Sequence, residues 1–148
     1  MTNVSPGRGA PISQTAEYAL RAMACLAAPG GGAMRALDLS RATQVPPHYL
    51  SKVLRRLVHA GLLDSQKGHG GGFTLARPAS KIRFADVLAA VDEAPETGRC
   101  AFGYAQCDAK NPCPLHPAWS KLNEQMSSWA ERTTLASVSA LVRPRKKS

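Results

Sequence analysis

Three of the four cysteines in this chain lie within one short segment. Six residues separate Cys100 from Cys107, five separate Cys107 from Cys113, and His116 follows closely. Because this segment has little apolar bulk and is interrupted by glycine and proline, it cannot form a core of its own. Segments of this kind owe their order to a bound metal. Thiolates suit zinc or an iron–sulphur cluster, and the ligand types alone leave these two near parity.

The totals point to a cytoplasmic protein without a membrane span. The chain has 148 residues, enough for one domain with a small appendage, and 44% of them are hydrophobic. No apolar run approaches the roughly 20 residues that cross a membrane. Residues 1–12 lack the order of a signal peptide and are expected to be a disordered lead-in. Since cytoplasmic thiols stay reduced, the cysteines indicate metal or redox chemistry and not a disulfide framework.

The positive charge is concentrated in the first half of the chain. The net charge is +9; residues 1–83 carry eleven Lys or Arg against three acids, whereas residues 84–139 carry four against seven. Charge alone is equally compatible with a solvated basic surface and with a surface that binds a polyanion. The helices and strands predicted below favour the polyanion.

The first sixty residues contain three predicted helices. Apolar residues recur at helical spacing over residues 13–28, and Ser13 is a suitable N-cap. A short helix is predicted over 36–42 and a third over 46–61, which opens with two prolines and ends at a glycine. Cys25 lies in the first helix, and we interpret it as a small buried hydrophobe.

The third predicted helix has an apolar side and a basic side. Leu50, Val53, Leu54 and Leu57 recur on one face. A short helix, a tight turn and a basic amphipathic helix are typical of a helix-turn-helix, whose second helix enters the major groove of DNA. The residues predicted to contact bases are His48, Tyr49, Ser51 and Lys52, and those predicted to contact phosphates are Arg55 and Arg56.

A glycine-rich turn between two short predicted strands, residues 62–66 and 72–76, indicates a wing. Its Lys67 and His69 are expected to reach a minor groove or the sugar–phosphate backbone. A nucleotide-binding loop is rejected, because it would need a helix where a strand follows here. The predicted fold is mainly α with a small β-hairpin: a winged helix-turn-helix, followed by a long C-terminal dimerisation helix.

The region after the wing contains a predicted helix over 84–93, the cysteine segment and a second amphipathic helix. An apolar stripe on the latter is interpreted as a dimer interface, with packing onto the same chain as the alternative. The stripe residues are Trp119, Leu122, Met126 and Trp129. Thr134 is predicted to cap a last short helix over 135–142, and residues 143–148 form a basic tail.

Several stretches, taken in order, resemble one bacterial family. They are residues 17–21, 48–50, 57–63, 68–75 and 86–93, together with the three cysteines. From residue 13 to 142 the chain is similar to the winged-helix repressors that include the iron–sulphur regulator IscR and the nitric-oxide sensor NsrR. The resemblance implies a homodimer with a cluster segment before its dimerisation helix. The expected domains are a lead-in (1–12), a winged-helix domain (13–93), a cluster segment (94–116), a dimerisation region (117–142) and a tail (143–148).

The resemblance also implies the metal ligands. Cys100, Cys107 and Cys113 would hold a [2Fe-2S] or [4Fe-4S] cluster, although the first gap has one residue more than better-known members have. The fourth ligand is either His116, as in IscR-like members, or Glu17 of the partner subunit, as in NsrR-like members. The alternative roles are a helix cap for His116 and, for Glu17, a charge that complements the dipole of the first helix.

The function implied is a DNA-binding repressor, not an enzyme, whose affinity for a palindromic operator follows the state of an iron–sulphur cluster. Redox state, nitric oxide, or the supply of iron or clusters would be the signal. One alternative is a DNA-binding regulator with structural zinc. Another is an iron–sulphur electron-transfer protein, which would have no use for a basic winged helix. A thiol hydrolase or oxidoreductase is disfavoured, because no Cys–His pair lies in a pocket-forming pattern.

Overall fold

The computed structural model describes residues 12–30, 32–68, 70–91 and 114–139. The first three helices are α1 (Gln14–Ala27), α2 (Ala36–Thr43) and α3 (Pro47–His59). They are followed by the strands β1 (Leu63–Gln66) and β2 (Gly72–Leu75) and a 3-10 turn (Ala79–Lys81). The remaining helices are α4 (Phe84–Ala90), α5 (His116–Arg132) and α6 (Leu135–Ser139). These bounds confirm the predicted mainly helical fold with one antiparallel hairpin.

Helix α1 is the centre of the core, because it packs against α2, α3, α4, α6 and β2. Most of its buried side chains are small: Ala16, Ala19 and Ala22 are completely buried, and the larger Met23 is buried beside them. Small side chains allow neighbouring helices to approach closely from several directions. As predicted, Ser13 caps this helix, and its Oγ accepts a hydrogen bond of 3.1 Å from the backbone N–H of Ala16.

The hairpin has an additional backbone partner that the sequence does not reveal. Strands β1 and β2 pair in register, with Leu63 opposite Leu75 and Gln66 opposite Gly72. Met34, in the segment between α1 and α2, pairs with Phe73 through two backbone hydrogen bonds of 3.1 and 2.7 Å. This bridge joins the base of the helix-turn-helix to the second strand of the wing.

The last two helices pack against helices that precede them in the chain. Helix α5 packs against α4, and α6 packs against α1. A bridge between Arg83 and Thr134 holds the α5–α6 break in place, with the Phe84 N–H donating to Thr133 at 2.8 Å. Thr134 caps α6 as predicted, since its Oγ1 accepts from the Ser137 N–H. No helix in the described ranges is both long and apolar enough to cross a membrane.

Candidate nucleic-acid interface and metal segment

Helix α3 presents a polar, basic surface because its apolar side is fully occupied by the core. Leu50, Leu54 and Leu57 are completely buried, and Val53 is nearly so. The opposite surface is exposed along the whole helix. It contains all six residues predicted there to contact DNA, namely His48, Tyr49, Ser51, Lys52, Arg55 and Arg56. Ser51 Oγ donates to the backbone oxygen of Pro47 at 3.0 Å, which leaves its lone pairs available to a donor.

The turn between α2 and α3 is held by two buried hydroxyl groups. Ser40 Oγ donates to the Val45 oxygen at 2.6 Å, and Thr43 Oγ1 donates to the Leu39 oxygen, also at 2.6 Å. Gln44, which directly follows Thr43, adopts the left-handed conformation with φ of 59°. A buried hydroxyl needs such a partner; the Ser40 bond closes the turn that leads into α3, whereas the Thr43 bond lies within α2. The sequence contains no glycine at this turn, and its geometry was not predicted.

An aromatic cluster joins α1 to the start of α3, the second helix of the helix-turn-helix, here called the recognition helix. The Tyr49 ring lies 4.7 Å from the His48 ring and 6.2 Å, edge-on, from the Tyr18 ring. The Arg21 guanidinium lies 5.7 Å from the centre of the Tyr18 ring. Tyr18 and Arg21 belong to a stretch that carries the family resemblance, but sequence reasoning assigned them no role. Their three-residue spacing on one helix face was the available signal.

The wing is a tight turn whose glycines are sterically required. A Cβ added to Gly71 would lie 2.5 Å from the Gln66 oxygen and 2.8 Å from the Gly68 oxygen. Gly68 and Gly70 have positive φ of 96° and 73°. Lys67 is exposed at the start of this turn, whereas His69 lies outside the described residues.

The charges on α3 are unpaired in the described part of the chain. The one salt bridge among the described residues joins Arg83 to Asp86 at 3.1 Å, far from the recognition helix in sequence. Lys52, Arg55 and Arg56 therefore have no carboxylate partner there. A row of exposed cations on one side of a helix attracts polyanions such as nucleic acid.

Most of the cysteine segment lies outside the residues that the structure describes. Cys100, Cys107 and Cys113 are outside the described residues; His116 is the first residue of α5, but its side chain is not described. The described residues contain no group of three His, Cys, Asp or Glu side chains able to hold a metal. Glu17 is partly buried in the first turn of α1, beside Tyr18. The assignment of these five ligands thus remains a prediction.

Cys25 packs against the core as predicted, but it is partly buried and not fully buried. Its Sγ lies 3.9 Å from Met34 Sδ, and the side chain packs against the core. Burial raises the pKa of the Cys25 thiol, which keeps it protonated and unreactive at neutral pH.

The apolar stripe on α5 is divided between the chain's own core and solvent. Trp129 packs edge-on against Phe84 of α4, with ring centres 5.2 Å apart, yet 41% of its surface stays exposed. Leu122 is 52% exposed, while Trp119 and Met126 are partly buried. Packing within the chain, the alternative to a dimer interface, therefore accounts for part of the Trp129 surface and leaves most of Leu122 uncovered.

Comparison with known proteins places this geometry in a family. Residues 12–140 match the family model Rrf2, described as an iron-dependent transcriptional regulator. The transcriptional regulator IscR of Yersinia pseudotuberculosis is 34% identical over 126 residues, covering 84% of this chain and 76% of that protein. A Mycobacterium tuberculosis protein, provisionally named a helix-turn-helix regulator, is 38% identical over 129 residues, covering 86% and 80%. Relatives of this kind are transcriptional regulators, which are not enzymes.

Two solved structures confirm the winged-helix fold. CymR, the global cysteine regulator of B. subtilis, matches with a TM-score of 0.74 and 19% identity, over 90% of this chain and 99% of that one. The IscR of T. potens matches with a TM-score of 0.68 and 22% identity, over 87% and 85%.

Proposed function

This chain belongs to the Rrf2 family of transcriptional regulators, and on that premise we propose that it is a homodimeric repressor controlled by an iron–sulphur cluster. Its winged helix makes it a DNA-binding regulator. The proposal adds the dimer, the palindromic operator and the cluster as the sensor of redox state, nitric oxide, or iron and cluster supply.

The exposed surface of α3 is the observation that supports the mode of DNA binding. His48, Tyr49, Ser51 and Lys52 lie near the helix N-terminus, the end that contacts base edges in helix-turn-helix complexes. Arg55 and Arg56 follow one turn later and are assigned to phosphates, which position the protein without reading sequence. On the wing, Lys67 and His69 are assigned to the backbone or a minor groove.

A homodimer is supported by the uncovered apolar surface of α5. Leu122 and Trp129 lie seven residues apart on one helix, a spacing that returns to the same face. Two copies packed along this stripe, with Trp119 and Met126, would present two recognition helices to a palindromic site.

The donor set fits an iron–sulphur cluster. Cys100, Cys107 and Cys113 supply thiolates, which are the ligands these clusters use, and the family description specifies iron. The fourth ligand is assigned to Glu17 of the partner subunit or to His116. Either is more labile than a thiolate, which suits a group that must respond to a signal. The same Cys and His donors could hold structural zinc, so metal analysis is part of the test.

A route from the metal segment to the recognition helix begins at Glu17. Its neighbour Tyr18 contacts Tyr49 at the start of α3, with ring centres 6.2 Å apart. If Glu17 binds the partner's metal segment, it ties α1 of one subunit to the other subunit. Release of this tie would change the spacing of the two recognition helices, giving two states with different DNA affinity.

The first test is the metal content of protein purified without oxygen. We expect a brown protein with iron and acid-labile sulphide, and a visible spectrum that separates a two-iron from a four-iron centre. Stoichiometric zinc in a colourless protein would contradict the cluster. If the protein contains neither metal, it is reconstituted with iron and sulphide to test whether it can bind a cluster. Protein that takes up no cluster would contradict the proposal.

Replacement of one cysteine tests whether the cluster controls DNA binding. Cys107→Ala should abolish the visible absorption and change the affinity for the chain's own promoter fragment by about tenfold or more, measured by fluorescence anisotropy. Cys25→Ala is the matched control and should keep both the spectrum and the affinity, because Cys25 packs against the core and Met34, away from the cysteine segment in the sequence. Equal promoter affinity of the Cys107→Ala and wild-type proteins would rule out cluster control.

A further inference from the structure

A shallow depression separates the start of α2 from the turn of the wing. Its volume is about 420 Å³, and it is lined by Arg35, Ala36, Gln66, Gly68, Gly71 and Gly72. Three of these six residues are glycines, which leaves room for a ligand to approach the main chain closely. Among the described residues of this lining, Arg35 is the one with a charged side chain.

The position of Arg35 relative to the wing is fixed by the backbone. The preceding residue, Met34, exchanges two hydrogen bonds with Phe73. Gly72 packs so closely that an added Cβ would lie 2.6 Å from the Met34 oxygen and 3.1 Å from the Arg35 nitrogen. Arg35 therefore lies directly beside the wing, although thirty residues and two helices separate them in the chain.

The Arg35 side chain has no partner in the described part of the protein. It forms no helix-capping hydrogen bond and no salt bridge there. Asp38, in the first turn of α2, is exposed and likewise unpaired within the described ranges. The nearest basic residue along the wing is Lys67, which directly precedes Gly68 of the depression. An unpaired guanidinium beside a glycine turn has the chemistry of a phosphate-binding group.

We infer that this depression binds a phosphate of the DNA backbone, with the Arg35 guanidinium as its main ligand. The inference rests on the proposed DNA-binding function and extends its surface: Arg35 adds a backbone contact at the wing, separate from Arg55 and Arg56 on α3. Such a contact fixes the orientation of the wing on the duplex and carries no sequence information. Each subunit of a dimer would contribute one Arg35.

The salt dependence of binding by Arg35→Gln tests this inference. This variant removes the charge and keeps much of the side-chain length. At moderate salt we expect it to bind about tenfold more weakly, equally to the promoter fragment and to a duplex of unrelated sequence. The slope of log K against log salt should fall by about one for each Arg35 on the DNA, hence by about two for a dimer. Arg35→Lys should keep most of the slope, since it keeps the charge.

Arg77→Gln is the matched control. Arg77 lies beyond the other end of the hairpin, near Gly61 and close enough to Asp86 to lower the pKa of that carboxyl. We expect this variant to keep the wild-type slope, and both variants to keep the wild-type melting temperature. An unchanged slope for Arg35→Gln, or a loss confined to the promoter fragment, would overturn the inference while leaving DNA binding intact. A wild-type protein that binds neither duplex would overturn both.

Discussion

Gly72 is the residue at which the wing meets the rest of the DNA-binding part. Its φ is +139°, a conformation that L side chains rarely adopt, and its Cα faces the Met34 carbonyl. Any side chain here would either strain the backbone or push Met34 away from Phe73. The glycine is thus required by a contact with a distant segment as well as by the turn.

We predict that Gly72→Ala lowers the free energy of unfolding by about 2–3 kcal/mol, measured by urea denaturation. Gly32→Ala is the control: Gly32 has nothing within 4 Å of an added Cβ, and its φ lies outside the restricted range. Its change should stay within about 0.5 kcal/mol of wild type. Equal stability of the two variants would show that the Met34–Gly72 contact is not formed.

Asp86 caps α4, the helix that leads into the metal segment. Its Oδ2 accepts from the Arg83 backbone N–H at 2.9 Å, and its Oδ1 accepts from the Arg83 guanidinium at 3.1 Å. Partial burial raises the pKa of this carboxyl, but the hydrogen bonds from Arg83 and the charges of Arg83 and Arg77 outweigh it and lower the pKa.

We predict that Asp86→Ala destabilises the protein by about 1 kcal/mol at neutral pH. Because the folded-state pKa lies below the unfolded value near 4, this contribution is present above about pH 4 and is lost as pH falls through the folded value. Urea denaturation at several pH values should show the two proteins converging in acid. Asp64→Ala, which removes an exposed acid on β1, is the control and should leave the free energy of unfolding unchanged. If the stability difference between Asp86→Ala and wild type persists in acid, the Asp86 carboxylate is not its source.

At the scale of elements, α3 and α5 are both amphipathic, but the core covers them differently. Four aliphatic side chains of α3 are buried inside the chain, and its exposed surface is mainly polar, with Tyr49 as an exposed aromatic ring. The stripe on α5 keeps Leu122 and much of Trp129 in solvent, and Ala130 alone among the described side chains of this helix is completely buried. An apolar surface of this kind on a helix typically marks an interface.

We predict that Leu122→Glu weakens dimerisation by about 30-fold or more, because a charge would be buried against the partner's stripe. Sedimentation velocity would detect the shift from dimer to monomer. Leu37→Glu is the control, since Leu37 is 54% exposed on α2, away from the stripe; it should stay dimeric. Leu122→Glu protein that sediments like wild type would place the interface elsewhere.

At the scale of the whole molecule, the open question is whether Glu17 binds a cluster across the dimer. Such a ligand would make each metal site depend on both subunits. A mixed dimer of two variants, one lacking Glu17 and the other lacking a cysteine ligand, would then contain one complete site. The fourth ligand can therefore be identified without a structure of the metal segment.

We predict that Glu17→Ala protein holds a cluster that is lost quickly in air, and that Cys107→Ala protein holds none. Mixed dimers, purified through two different tags, should contain about half of the wild-type iron with wild-type stability in air, because one complete site is rebuilt. Gln14→Ala, an exposed change in the same turn of α1, should behave as wild type. A Glu17→Ala cluster as stable as wild type would favour His116 instead, and mixed dimers with a labile cluster would place Glu17 in its own subunit's site.

The sequence by itself determined where the helices and strands lie and which of their sides are buried. The predicted helix over 46–61 and the predicted cap Ser13 agree with the structure to within a residue or two, because apolar period and capping chemistry act between residues three or four apart. The glycines of the wing were recognised for the same reason, since turn geometry is local.

The tertiary structure decided which distant residues share one surface. It joined Met34 to Phe73, placed Tyr18 against Tyr49 and brought Arg35 beside the wing. None of these pairs has a local signature, because the members of each lie about thirty or more residues apart in the chain. Local sequence patterns reveal the spacing of apolar residues along a helix or strand and the capping residues at its ends. Contacts between elements depend on side-chain volumes from the whole chain, so only the folded molecule reveals them.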